Sequence, residues 1–379
     1  MLRRSTSRKA AMTGSHRESP ATLGMATTGA LIRRRRRTAA INLALQGGGA
    51  HGAFTWGVLD RLLEDGRFAP EGISGTSAGA LNAVVLASGW LEGGPDGARA
   101  SLGRLWRRIA DLARLRPPHA PGLSQMAADL ATSLLSPYYL NPFDLNPLRS
   151  IVEDLVDFER LRAERALQLF IAATNLRTGC GRVFRNGDLS SKTVLASACL
   201  PQLHQAVEID GEAYWDGAFA SNPPLLPLIR CCRARDLVLV QINPLESERV
   251  PRTASQIRNR VGEIVFGRPL LEELARLDEA VRRAGPLAWL SSTSRRVARH
   301  RLHRIDGSAL LAELEPSTKV DPSWLLLEKL ARLGRDAADD WLRLGMVRRR
   351  SPREWLPRVA VRSAPSATPA VSASTAGGS

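Results

Sequence analysis

Two segments of strand length, the first an apolar run, each passing directly into a glycine-containing turn and then a helix, constrain this chain more than any other feature. Ala39 to Gln46 runs into Gly47-Gly48-Gly49, and a helical pattern follows from Ala53 to Glu64. In it Phe54, Val58, Leu59, Leu62 and Leu63 recur at 3.6-residue spacing. Phe68 to Ser74 then runs into Gly75-Thr76-Ser77-Ala78-Gly79 and a second helix from about Ala78 to Trp90. Strand, helix, strand, helix in so short a stretch predicts a parallel sheet in an α/β fold.

Both turns carry chemistry. A serine between a strand and a helix, as Ser77 is, sits on a strained bend with its hydroxyl exposed. Gly75 and Gly79 flank it because a Cβ would clash in so tight a turn. The helix that follows points its N-terminus at the serine, which favours negative charge there. In the other turn, Gly47-Gly48-Gly49-Ala50-His51-Gly52, backbone N–H groups can converge on an oxyanion. Gly47, Gly49 and Gly52 also satisfy the dinucleotide pattern G-x-G-x-x-G. That pattern needs an acidic residue ending the next strand, and Glu64 and Asp65 fall at a helix end instead.

A third block is Tyr214-Trp215-Asp216-Gly217-Ala218, a carboxylate at the end of a strand. Asp216 can take a proton from a serine that the fold brings to it, although Asp-Gly alone is a common turn. Taken in order, the glycine loop, Gly-Thr-Ser-Ala-Gly and Asp-Gly-Ala resemble the patatin-like phospholipase family of bacterial type. Ser197-Ala198-Cys199-Leu200-Pro201 and Asn222-Pro223-Pro224 look like further family segments. The resemblance spans roughly residues 40–245. It implies a three-layer α/β/α sheet and a Ser–Asp dyad in which Asp216 deprotonates Ser77, with an acyl-enzyme intermediate. It implies an oxyanion hole at Gly47, Gly48 and Gly49, with Gly52, Gly75, Gly79 and Gly217 supporting the motifs. No metal or other cofactor is implied.

This chain has His51 where the family often has a basic residue, and a histidine there is expected to titrate near neutral pH. It has Asp-Gly-Ala where many members have Asp-Gly-Gly. A Ser–Asp–His triad is the rival arrangement, with His300 or His303 following Asp216 in the chain. Both histidines lie in the basic segment Arg299 to Arg304, and the glycine loop fits the dyad better.

Residues 93–145 read as an insertion with helical pieces near 101–113 and 123–135, either core packing or a lid. A helix is expected at 147–156, strands at Leu167–Thr174 and Val183–Arg185, and a short helix from Lys192 to Cys199. Val207 to Trp215 reads as a hairpin turning at Asp210-Gly211. A Pro-led helix follows at Pro223, then a buried strand from Asp236 to Ile242. The rest is a mainly helical extension, about 250–345, with helices at 253–284 and 322–345 and a short strand from Leu302 to Ile305. The expected organisation is a basic disordered arm at 1–37, a hydrolase domain at 38–345 and a basic Pro/Ser/Ala-rich tail at 346–379. Met12 and Met25 are alternative initiators.

At 379 residues the chain can bury a sizeable core, with 44% hydrophobic and 24% charged residues. Aromatics at 5% argue against a stacking platform for bases or sugars. The net charge of +16 is almost all arginine and is concentrated at the two ends. Such ends attract anionic surfaces, either lipid or nucleic acid, and no specific nucleic-acid motif is present. Cys180, Cys199, Cys231 and Cys232 have neither disulfide-framework nor zinc spacing. With no signal-peptide core and no membrane span, a cytoplasmic protein is expected, in places peripheral to a membrane. The sequence thus points to hydrolysis of phospholipid or other lipid esters. A general carboxylesterase or thioesterase is the alternative, and a basic nucleic-acid- or membrane-binding protein a more distant one. Oligomeric state is not legible.

Overall fold

The computed structural model describes residues 38–114, 136, 138, 141, 144–247, 250–284, 292–314 and 316–344. The expected terminal segments, and the helical piece at 123–135, lie outside the described residues.

Five strands form a parallel run in the order β3 (Gln168–Asn175), β2 (Phe68–Gly75), β1 (Ala39–Leu45), β7 (Asp236–Gln241) and β8 (Arg301–Asp306). The sheet as a whole is mixed. β4 (Gly181–Arg185) and β6 (Glu212–Asp216) pair antiparallel with β3, and β5 (Val207–Ile209) pairs antiparallel with β6. The parallel run was expected from the first two strands, and the expected hairpin from Val207 to Trp215 is β5 and β6. Short connections return the chain antiparallel because a parallel return needs a long crossover.

Strand periodicity separates the two faces. Ile41, Leu43, Leu45, Val238, Val240, Leu169 and Ile171 point into one apolar layer with helices α1 (Gly52–Asp65), α2 (Ala78–Arg114) and the last helix, Trp324–Leu344. Ala44, Leu237, Leu239, Phe170 and Leu302 point into the other, against the helices at Leu226–Cys231 and Ala254–Ala284. Side chains alternate across a strand, so a central strand buried on both faces must be apolar at its centre, as β7 is from Leu237 to Val240. Each fully buried Leu, Ile, Val or Phe contributes roughly 1.5–3 kcal/mol. The result is a helix–sheet–helix sandwich with a mostly helical C-terminal part.

Helix α2 does not stop at Trp90. It breaks at Gly93 and Gly94 and continues to Arg114, and Ala98, Leu102, Leu105, Trp106 and Ala110 of its second half are buried at helical spacing. Trp106 Nε1 donates to Asn82 Oδ1 at 3.0 Å, tying the two halves together. The first part of the expected insertion is therefore core. The remaining helices are α3 (Pro147–Leu155), α4 (Phe158–Ala163), α5 (Ser191–Ser197), α6 (Leu226–Cys231), α7 (Ala254–Ala284), α8 (Ser292–Arg299), α9 (Ser308–Ala312) and α10 (Trp324–Leu344). Helix α6 begins three residues after Pro223, because Asn222 first turns back onto the glycine loop.

Many arginines of the fold are paired with carboxylates. Arg99 of α2 binds Asp60 at 2.8 Å and Glu64 at 3.0 Å on α1, and Arg335 of α10 closes on the same two carboxylates from the other side. Pairs this exposed add at most about 1 kcal/mol each.

Candidate active site

Strand β2 ends at Gly75, in register with Leu45 of β1 and Ile171 of β3, at the carboxyl edge of the parallel strands. Ligands of open α/β sheets bind at that edge. The chain then turns within two residues. Thr76 donates its N–H to the Leu45 carbonyl at 3.3 Å and its hydroxyl to the Ser221 carbonyl at 2.8 Å. Ser77 adopts φ 55°, a left-handed conformation that costs an L-residue roughly 1–3 kcal/mol. Its carbonyl accepts the amides of Ala80 and Leu81 and so starts α2, while its own N–H goes to Ser197 Oγ at 3.0 Å. Gly79 must be glycine, since a Cβ would run into the Leu45 carbonyl. Ser77 is held on all sides except that of its hydroxyl.

Asp216 reaches that hydroxyl through β3. Ala173 pairs with both Arg182 of β4 and Asp216 of β6, so those strands lie on opposite edges of β3. Ile171 likewise pairs with Phe184 of β4 and Gly75 of β2. β6 therefore takes over the edge that β2 leaves. Asp216 stands two positions beyond Gly75 along it, roughly 7 Å away. The Asp216 carboxyl is fully buried, accepts the Ala218 N–H at 2.8 Å and lines the same cleft floor as Ser77. Burial pushes it up to about 7, against the opposing pull of the Ala218 amide and the Ser77 hydroxyl. Its backbone is fixed as well: the N–H goes to the Cys199 carbonyl at 2.9 Å, and the carbonyl accepts Thr174 Oγ1 at 2.8 Å. Gly217 opens a short 3-10 turn directly after it.

The glycine loop rests on three buried amide side chains. Gly47 N–H donates to Asn222 Oδ1 at 2.7 Å, and its carbonyl accepts Asn243 Nδ2 at 2.6 Å. Gln46 Oε1 accepts the amides of Ile242 at 2.9 Å and Asn243 at 3.0 Å. A Cβ at Gly47 would come within 2.7 Å of the Ser77 Cβ, so the loop lies directly against Ser77. Of the three glycines expected to face an oxyanion, Gly47 has its N–H engaged. Gly48 and Gly49 open the 3-10 turn Gly49–His51, where leading N–H groups have no intrahelical partner. Gly52 follows as the first residue of α1 and passes its carbonyl to Asn82 Nδ2 at 3.0 Å.

Above these groups lies a cleft of about 630 Å³. Gly47, Gly48, Gly49, Ser77 and Asp216 form its polar floor, and its wall is α7. Ile257, Val261 and Val265 follow one face of that helix at four-residue spacing, and each is exposed. The volume suits a ligand of drug or lipid-tail size. A lid was the alternative reading of residues 93–145, whereas this apolar wall comes from the C-terminal extension.

The histidines fall elsewhere. His303 Nε2 pairs with Asp236 Oδ1 at 2.8 Å, and Asp236 is in register with Ile41 near the start of β1, at the opposite end of the strands from Ser77. His300 Nδ1 meets the Arg296 carbonyl at 2.6 Å. Neither lines the cleft. His51 does lie behind the glycine loop, with Nε2 at 2.8 Å from Thr318 Oγ1. Burial, aided by the charge of Lys319, lowers it to about 4. At neutral pH it is an uncharged ring, contrary to the expectation of titration near neutrality. Among the described residues no cluster of His, Cys, Asp and Glu has the make-up of a metal site.

Ser197, Asn222, Asn243 and Gln46 were not assigned roles from sequence. Their only signal was position: polar residues at the ends of apolar strands, or inside the two segments that looked family-like.

A search of curated proteins finds no match. Among solved structures, VipD from Legionella pneumophila is similar at 17% identity and a TM-score of 0.40, over 80% of this chain and 66% of that one. A chain of the heterodimeric ExoU–SpcU complex, from the type III secretion system of Pseudomonas aeruginosa, is similar at 18% identity and a TM-score of 0.26. That match covers 80% of this chain and 75% of the other. This chain thus spans just under two thirds of the VipD chain. Residues 43–229 match the family described as patatin-like phospholipase, a stretch containing the glycine loop, Ser77 and Asp216. Across that stretch this chain carries a patatin-like phospholipase domain.

Proposed function

We propose that this protein hydrolyses lipid carboxylic esters, in the manner of a phospholipase A or lysophospholipase, through a Ser77–Asp216 dyad. The observation that carries the reading is that Ser77 and the buried Asp216 carboxyl share the floor of one apolar cleft, beside Gly48 and Gly49. Asp216 takes the serine proton as Oγ attacks the ester carbonyl. The negative oxygen that forms receives the N–H groups of Gly48 and Gly49. The C–O bond to the alcohol then breaks, and the alcohol leaves with the proton held by Asp216. Water next attacks the acyl-serine with Asp216 as base. The fatty acid departs and Ser77 regains its proton. A carboxyl near 7 is poised for this shuttle at physiological pH.

The exposed apolar wall of α7 favours a long acyl chain over a small soluble ester. A peripheral encounter with anionic lipid fits the basic composition. No helix among the described residues is long and apolar enough to cross a membrane. Release of fatty acid from mixed phospholipid vesicles is the test. Wild type and His303→Ala release it, whereas Ser77→Ala loses roughly 10⁴-fold or more and Asp216→Asn roughly 10²–10⁴-fold. Activity on monomeric short esters, with none on vesicles, would instead support the carboxylesterase reading.

A further inference from the structure

Lys319 stands beside the glycine loop with its positive charge poorly answered. It belongs to the 3-10 turn Pro316–Val320, which packs so closely on the loop that a Cβ at Gly49 would meet the Lys319 carbonyl. An ammonium group has three hydrogens to donate. The described partner of Lys319 Nζ is the neutral Asn243 Oδ1, at 3.3 Å. The nearby carboxylate is Glu263, which is itself paired with Arg260 at 2.9 Å. Burial holds the Lys319 ammonium below its ordinary pKa, with Glu263 opposing the shift.

Lys319 lines two adjoining spaces. One is the cleft above Ser77, and the other is a smaller pocket of about 190 Å³ that ends at His51. Arg258 of α7 lines both spaces as well and is exposed at their mouth. His51, neutral at physiological pH, adds no charge there. Two cations on different elements therefore border the space next to the nucleophile. Both lie outside the family-matched stretch of residues 43–229.

We propose that Lys319 and Arg258 form a phosphate subsite, which holds the phosphodiester of a glycerophospholipid while its acyl ester lies at Ser77. The proposal rests on the esterase reading and narrows its substrate to phosphate-bearing lipids. A half-buried ammonium with one long neutral contact gains most from a partner that brings negative charge and several acceptor oxygens.

The test compares kcat/KM on a short-chain phosphatidylcholine with that on the diacylglycerol of the same chains, for wild type, Lys319→Met, Lys319→Arg and Arg258→Gln. The ratio of the two values falls 10-fold or more in Lys319→Met, falls several-fold in Arg258→Gln and is largely restored in Lys319→Arg. A structural defect, or a role of Lys319 on the oxyanion, lowers both substrates together, and an unchanged ratio overturns the proposal. A second arm needs no turnover. A non-hydrolysable diether phosphatidylcholine binds Ser77→Ala at least 10-fold more tightly than it binds Ser77→Ala/Lys319→Met, and equal binding also overturns the subsite. Inorganic phosphate that competes as well as the diether lipid would make this a site for the free anion and not for a lipid. Failure of the esterase reading is distinct: Ser77→Ala would then retain hydrolysis of both esters.

Discussion

The Ser197 hydroxyl accepts the backbone N–H of Ser77 at 3.0 Å, so the bend that carries the nucleophile is tied to α5, 120 residues further along the chain. Ser197 is fully buried. Ser197→Ala leaves that amide without an acceptor, which costs about 1–3 kcal/mol of stability. It also frees the strained Ser77 backbone to relax. Thermal unfolding reads the first effect. A fall in kcat of about 10-fold, with KM little changed, reads the second, and Ser197→Thr restores both in part.

The carboxyl of Asp216 gives activity a definite pH dependence. The base must be ionised, so kcat/KM rises with pH and reaches half its plateau at about 7. A plateau already reached at pH 5 would contradict the assignment of Asp216 as base.

The same group makes stability fall as pH rises. Its pKa is raised in the folded protein, so between about pH 4 and 7 the folded state keeps a proton that the unfolded chain has released. Stability contributed by the protonated form is therefore present at low pH and is lost as pH climbs through that window. Above pH 7 the penalty is on the order of 4 kcal/mol. Asp216→Asn keeps an acceptor for Ala218 and removes the charge. It is expected to unfold at a higher temperature than wild type at pH 8, and at nearly the same temperature at pH 4.

Gly47→Ala tests the contact between loop and nucleophile. The added Cβ must displace Ser77 or the Thr76 carbonyl, each 2.7 Å away. A shift of the reacting groups by about 1 Å costs on the order of 10²-fold in kcat. Hydrogen exchange at the core strands should stay as in wild type, which separates a displaced nucleophile from general unfolding.

Glu273 fastens the cleft wall. Its carboxylate accepts the amides of Leu225 at 2.9 Å and Leu226 at 2.7 Å, capping α6 from α7, and burial lifts its pKa to about 7. Glu273→Ala orphans both amides, which costs about 1–3 kcal/mol, and speeds hydrogen exchange in α7. Glu273→Gln keeps one acceptor oxygen and should be the milder change at pH 8.

The strands and the serine turn were legible because each rests on a local rule. β7 is apolar from Leu237 to Val240 because both of its faces are covered, and Gly75 and Gly79 bracket Ser77 because the bend leaves no room for a Cβ. Asp216 was legible only through its company, since an Asp-Gly pair says nothing until β3 brings it to Ser77. The clasp of Gln46, Asn222 and Asn243 could not be read, because polar residues beside strands look alike whether they cap a turn or grip a loop. The α7 wall was hidden for a related reason. Ile257, Val261 and Val265 alternate with Arg258 and Arg260, a pattern shared by any half-buried helix. Likewise, the paired partners of His303 and the burial of His51 depend on contacts across the sheet that no spacing records.

The pairing of Asp216 with Ala173, and of Gly75 with Ile171, stores the separation of Asp216 from the turn that carries Ser77 as a whole number of residues on β3. An integer cannot drift. Point substitutions around the dyad can alter its strength, but only an insertion or deletion can change the count, and a single one would also turn every later side chain of the strand to the wrong face. Ancestral sequences of this lineage should therefore vary freely along α7 and in the turn that carries Lys319. The stretch from Ile171 to Ala173 should keep its length without exception.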